Sequence, residues 1–241
     1  MDGPEVQKPE RGSPTYTRED GTPLPLTPDI SRRRFDYDRR LLPNPYMAVL
    51  EPQELERPTR HQGLTIGYPA WNLLYYSLYC SVDPERDDLV VIETGTNRGL
   101  STISMAQALK DVGADAIVET VDLDDSKTEI ARENVESAGL TDRVEFYIGD
   151  SLEFLRSLTA RVDHVDFVFL DDNHDHEHVA REIEIVHPLV ASRRGKIYFD
   201  NTTAGGVAEA LRDLRRTYGG NLVEFENCSW RPPGNAVWQP D

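Results

Sequence analysis

The chain has 241 residues, 38% of them hydrophobic and 29% charged, and a net charge of −17. A chain this long can bury a sizeable core, and a charge of that sign repels phosphates, which argues against nonspecific binding to nucleic acid or to anionic membranes. Cys80 and Cys228 are too few for a disulfide framework, no apolar run reaches membrane-spanning length, and no basic-then-apolar leader opens the chain, so a cytoplasmic enzyme or binding protein is expected.

Residues 1–40 are rich in Pro, Gly, Thr and charge without an apolar period, which predicts a disordered leader or arm. Their eight basic and eight acidic residues balance, so the carboxylate excess belongs to the rest of the chain. Within them, "SRRRFDYDRR" (Ser31–Arg40) fits a solvated linker as well as an arm that folds over a ligand or pairs with a second subunit in a homo-oligomer. Residues 41–88 predict a helical cap with two helices between Asn44 and Val82. The second, "PAWNLLYYSLYCSV", sets Trp71, Leu74, Tyr75, Leu78 and Tyr79 at helical spacing, a stripe that belongs to a core or roofs a pocket.

From Leu89 to Asp241 short β-rich runs alternate with amphipathic helices. The strands read "LVVIET", "AIVETVDL", "RVEFYIG", "HVDFVFLD", "GKIYFDN", "NLVEFEN" and "NAVWQ". Ser126 and Glu129 form a capping-box pair ahead of "IARENVESAGL", with Gly139 as the stop. Val179, Ile183, Val186 and Val190 mark the buried stripe of a later helix, and Val207, Leu211, Leu214 and Tyr218 that of the next. Such alternation predicts an α/β fold, a doubly wound, Rossmann-like, mostly parallel seven-stranded sheet whose ligands sit beyond the carboxyl ends of the strands. In "ENCSWRPPGNAVWQ", Pro232, Pro233 and Gly234 mark a turn between two final antiparallel strands, while Trp230 and Trp238 either pack on the sheet or line a pocket.

The first strand ends at Glu93 and runs into Gly95 and Gly99 before a helix. This is G-x-x-x-G, with Asn97 where a dinucleotide-binding loop has its second glycine, which disfavours a nicotinamide-dependent oxidoreductase. Asp122 at the tip of the second strand stands where a carboxylate holds a ribose diol. Asp124 and Asp125 suit the start of the following helix. Asp150 and Ser151, after the third strand, fit an adenine edge and a helix cap equally well.

In order and spacing, "IETGTNRGLS", "VDL", "GDS" and "FLDDNH" resemble the class I S-adenosylmethionine-dependent methyltransferases over about Leu89 to Tyr218, and within them the small-molecule enzymes grouped with cephalosporin-hydroxylase-like proteins. The resemblance implies that S-adenosyl-L-methionine lies across the first three strands, held by Glu93, Gly95, Thr96, Gly99, Ser101, Asp122, Asp150 and Ser151. "FVFLDDNH" and "IYFDN" end adjacent strands and bring Asp171, Asp200 and Asn201 together as oxygen donors for a hard divalent ion such as Mg²⁺. Catechol-type O-methyltransferases carry a similar set, one Asp after strand four and an Asp-Asn pair after strand five, although the residues around the first Asp differ here.

His174 stands three residues past Asp171, where those enzymes have a proton-accepting lysine, and an imidazole titrates near neutrality, at about 6.5. Asp171 and His174 are therefore the expected catalytic residues of a metal-assisted O-methylation of a small hydroxylated acceptor. The competing expectations are an accessory protein that keeps the fold without turnover, and an N-methyltransferase that needs no metal. Asp175 and Glu177 are expected at a helix start, and His176 and His178 in solvent. A zinc site built from the three histidines is disfavoured, because their alternation suits a strand while Val179, Ile183 and Val186 demand a helix.

Overall fold

A computed structural model describes residues 15–17, 23–25, 43–47, 50, 70–225 and 234–241. Seven strands form the main sheet: β1 (Val91–Thr94), β2 (Val118–Asp122), β3 (Val144–Ile148), β4 (Phe167–Leu170), β5 (Lys196–Phe199), β6 (Asn221–Phe225) and β7 (Asn235–Gln239). Their spatial order is β3-β2-β1-β4-β5-β7-β6, parallel from β3 to β5, with β7 antiparallel to both β5 and β6. The order reverses between β1 and β4. In a doubly wound sheet that reversal opens a crevice for ligand at the carboxyl ends of the strands.

Six helices cover the sheet among the described residues: α1 (Ala70–Tyr79), α2 (Leu100–Val112), α3 (Asp125–Ser137), α4 (Ser151–Leu158), α5 (His176–Arg193) and α6 (Gly205–Tyr218). The two-residue period of the strands divides their side chains between two cores. Val91, Phe167, Phe169 and Tyr198 face α1, α2 and α3, whereas Ile92, Val168, Leu170, Ile197 and Phe199 face α4, α5 and α6. Phe167 and Phe169 are fully buried, so truncating either to alanine removes about 3–5 kcal/mol of stability.

The aromatic stripe of α1 is core. Tyr75 donates to Asp111 Oδ2 at 2.7 Å, Ser104 donates to the Trp71 carbonyl at 2.6 Å, and Tyr198 donates to the Ala70 carbonyl at 3.3 Å, which locks α1 against α2 and β5. The other predicted cap helix and the Ser31–Arg40 arm lie largely or wholly outside the described residues. Within the predicted disordered leader, the backbone of Thr15–Thr17 pairs antiparallel with Pro23–Pro25.

Several local expectations shift. The helix predicted to be capped by Ser126 starts earlier, because Asp124 Oδ1 accepts from the Ser126 and Lys127 amides at 3.0 and 3.3 Å and so holds the cap position. Gly139, in left-handed backbone, does follow the helix end. Tyr218 is 38% exposed, at the margin of its stripe, and stacks on His187. Trp238 is fully buried and donates to the Gly219 carbonyl at 2.9 Å, so it belongs to the core; Trp230 lies outside the described residues. Among the described residues no helix is long and apolar enough to cross a membrane.

Candidate active site

β1 enters α2 through a turn in which Gly95, Asn97 and Gly99 all adopt left-handed backbone. The Gly95 and Thr96 amides donate to the Val121 carbonyl at 2.9 and 3.3 Å, which folds the loop back over β2. A Cβ on Gly95 would lie 2.3 Å from the Asp171 carbonyl oxygen, so only glycine lets the loop press on the end of β4. At Gly99 a Cβ would meet the Ala131 side chain at 3.2 Å, which sets how closely α3 packs.

Glu93 is fully buried beneath this loop. Its Oε2 accepts from Thr102 Oγ1 at 2.5 Å and Thr120 Oγ1 at 2.6 Å, and Thr120 Oγ1 lies 2.6 Å from Thr96 Oγ1, whereas Oε1 has no hydrogen-bond partner. Burial pushes the carboxyl up to about 7, against the pull of the Ser101, Thr102 and Thr120 hydroxyls and with a push from Asp122. The folded value exceeds the ordinary 4.5, so between those two pH values the folded protein holds a proton that the unfolded chain has released. This group's contribution to stability therefore falls as pH rises from 4.5 to about 7, by about 3 kcal/mol in all. Glu93→Gln keeps the oxygen that the threonines use and places its amide where Oε1 accepts nothing. Urea melts are expected to show the variant gaining on the parent across that window, with the largest gain above pH 7; a constant difference would show that Glu93 does not titrate there.

Asp122 Oδ2 accepts from the Asn97 amide at 2.7 Å, and its Oδ1 accepts from the Asp124 amide at 2.8 Å. Each oxygen keeps a second lone pair, enough for two hydroxyl donors. Leu123 is 73% exposed and Ile148, the β3 residue in register with Asp122, is 51% exposed. Two large apolar side chains bared beside a carboxylate form a platform for a flat apolar ring, which an apolar pattern alone does not distinguish from core. Asp150 caps α4, its Oδ1 accepting from the Glu153 amide at 3.0 Å, and the Ser151 hydroxyl sits 3.1 Å from His178 Nε2.

Leu170 and Phe199 are register partners in parallel strands, so Asp171 and Asp200 leave the sheet side by side. Asp200 is 4% exposed, and its Oδ1 accepts from Asn235 Nδ2. Burial raises the Asp171 carboxyl well above its usual range, and the negative charges of Asp200, Glu93, Asp172 and Glu182 raise it further. Asn201 is held in left-handed backbone, and its Oδ1 lies 2.7 Å from His174 Nε2, which is itself 3.9 Å from Asp171 Oδ1. A Cβ on Gly206 would lie 2.1 Å from the His174 carbonyl, so the start of α6 packs against the loop that carries His174. Asp171, His174, Asp200 and Asn201 thus form one cluster at the ends of β4 and β5.

The histidines do not converge. His176 Nε2 pairs with Asp213 Oδ2 at 3.0 Å and ties α5 to α6, while His178 Nε2 pairs with Asp172 Oδ2 at 3.0 Å. His178 is only 18% exposed, contrary to the expected solvated position, and the Asp172 bond raises its pKa. Burial pushes Asp172 up, but hydrogen bonds from His178 and Ser151 outweigh it and leave the carboxyl below its usual value.

Residues 92–202 match the family described as "Methyltransferase domain". Over those residues the chain is similar to methyltransferase domains, and they lie on the doubly wound part of the sheet. Among curated proteins, it is 35% identical to a catechol O-methyltransferase of Mycobacterium tuberculosis over 48% of this chain and 49% of that one. It is 27% identical to the O-methyltransferase imqG of Aspergillus flavus over 48% of this chain and 46% of that one. The chain thus spans about half the length of these two curated relatives. In fold, the chain resembles an O-methyltransferase from Bacillus cereus solved with SAH, with a TM-score of 0.62 at 19% identity over 81% of this chain and 90% of that one. The strand order of the sheet puts the glycine loop, Asp122 and the Asp171–Asp200 pair at the carboxyl ends of its parallel strands.

Proposed function

We propose that the protein methylates an oxygen of a small hydroxylated acceptor, using S-adenosylmethionine and a divalent ion of the Mg²⁺ class. The observation that carries this reading is the half-buried Asp171 beside the buried Asp200, next to the glycine loop. Two neighbouring carboxylates shielded from much of the solvent repel each other and favour a proton or a cation between them. With the Asn201 amide the set offers oxygen donors only, which fits a hard ion that keeps waters or substrate in its remaining positions. The O-methyltransferase names of the two curated relatives favour oxygen as the acceptor atom.

S-adenosylmethionine supplies an electrophilic sulfonium methyl, and a bound ion supplies positive charge that eases ionisation of the acceptor hydroxyl. The protein's own side chains supply alignment. Asp122 would accept from the ribose hydroxyls, Leu123 and Ile148 would flank the adenine, and the left-handed turn that Gly95 and Gly99 permit would present its backbone to the methionine half. His174 takes the acceptor proton: with Asn201 Oδ1 accepting from Nε2–H, the basic lone pair lies on Nδ1. Positioning and charge stabilisation then account for most of the acceleration.

Release of S-adenosylhomocysteine from S-adenosylmethionine and a vicinal diphenol tests the reading directly. His174→Ala is expected to lower kcat by about 100-fold or more, with the S-adenosylmethionine KM little changed. The deficit should shrink at alkaline pH, where the acceptor ionises unaided. An unchanged rate in the variant removes His174 from the chemistry, and no turnover of any hydroxylated acceptor by the parent removes the reaction.

A further inference from the structure

We infer that Asp172, His178 and Glu182 form a second metal site, suited to a first-row transition ion such as Zn²⁺ and distinct from the oxygen-only set of Asp171, Asp200 and Asn201. His178 and Glu182 stand one turn apart on the same face of α5, and Asp172 reaches them from the loop after β4. One nitrogen and two carboxylate oxygens from these residues all lie within 4.8 Å of one another. Zinc bonded tetrahedrally at about 2.0–2.2 Å separates its ligand atoms by about 3.4 Å, so small side-chain rotations close the site.

An internal hydrogen-bond network accounts for only part of this cluster. His178 and Asp172 satisfy each other through one bond and the Glu182 carboxyl also bonds to Thr94 and Asp172, but Glu182 is 1% exposed and its Oε1 has no partner, as is also true of Asp172 Oδ1. A glutamate on a helix face otherwise made of Val179, Ile183 and Val186 has displaced an apolar side chain from the core. Two buried carboxyls in contact need a proton or a cation between them, and the oxygens left unpaired here, with an imidazole beside them, are the donors that a cation would take. A nucleophilic relay is excluded by geometry: Ser151 Oγ and Asp172 Oδ2 both approach Nε2 of His178, whereas a relay needs its two partners on opposite ring nitrogens.

The donor set chooses the ion. One imidazole with two carboxylates suits zinc, iron or manganese better than magnesium, which prefers oxygen alone. Its place suggests its task. A Cβ on Gly95 would lie 2.9 Å from the Asp172 amide, so an ion gripping Asp172 braces the floor on which the glycine loop rests. The site is structural and does not depend on whether methyl transfer occurs.

Zn²⁺ is titrated calorimetrically into the full, chelator-treated chain in excess Mg²⁺ and without S-adenosylmethionine. One equivalent is expected to bind, with affinity at least 10-fold weaker in His178→Gln and Glu182→Gln and unchanged in Asp200→Asn. No tight equivalent in the parent, or one lost in Asp200→Asn and kept in the other two, overturns the assignment. Should the helix variants fail to fold, zinc-edge X-ray absorption of the parent decides: one imidazole in the shell supports the site, and an all-oxygen shell refutes it.

Discussion

Asp122→Ala is expected to weaken binding of S-adenosylhomocysteine by about 10- to 100-fold, measured by titration calorimetry. A carboxylate holding two hydroxyls makes charge-assisted hydrogen bonds worth about 1.5–3 kcal/mol, and each 1.4 kcal/mol is about tenfold in affinity. The same carboxylate also anchors the glycine loop through Asn97 and the start of α3 through Asp124, so alanine loosens the backbone that the ligand rests on. Asp122→Asn is no neutral control. Both oxygens already accept a backbone N–H, and an amide nitrogen in either place faces a donor with a donor. Asp124→Ala is the better control, because it removes the α3 cap, worth about 1 kcal/mol of stability, and leaves Asp122 in place. Equal affinities for parent and Asp122→Ala would remove the nucleoside from the crevice over β2.

Legibility in the sequence followed the range of the interaction. The strands showed because alternation along them is local: Val91 and Ile92, or Phe167 and Val168, go to opposite faces wherever the sheet lies. Strand order then placed Asp171 beside Asp200, since the ends of neighbouring parallel strands have no other arrangement available. Local rivals defeated the cap of α3. Ser126 and Glu129 match a capping box, but the Asp124 carboxylate takes the Ser126 amide that Glu129 would have bonded, and the Ser126 hydroxyl donates to Asp124 instead. The charges of "HDHEHVAREIE" hid Glu182. Three residues after Val179 and four before Val186, it falls on the buried face of α5, a position that helical spacing does show once the apolar stripe is drawn. The pairing of His178 with Asp172 needed the fold, because the loop between them must turn before the helix begins. The bared Leu123 and Ile148 needed it too, for in a sequence they differ in no way from core residues.

For Asp200→Asn the expected effects on turnover and stability have opposite signs. Turnover should fall by about 100-fold or more, equivalent to about 2.7 kcal/mol of transition-state stabilisation, and chelator should do the same to the parent. Affinity for S-adenosylhomocysteine should stay within about threefold, because Asp122 and the glycine loop are untouched. The metal-free protein should meanwhile become more stable. The substitution deletes one of the negative charges crowding Asp171, while the amide oxygen can still accept from Asn235. Added Mg²⁺ should raise the melting temperature of the parent by more than that of the variant, which has lost Asp200's share of the repulsion and one of the oxygen charges that hold the ion. A merely structural Asp200 gives a different pattern, in which stability and turnover fall together. Full turnover in chelator would sink the ion altogether, and the carboxylate pair would then need a shared proton to explain its burial.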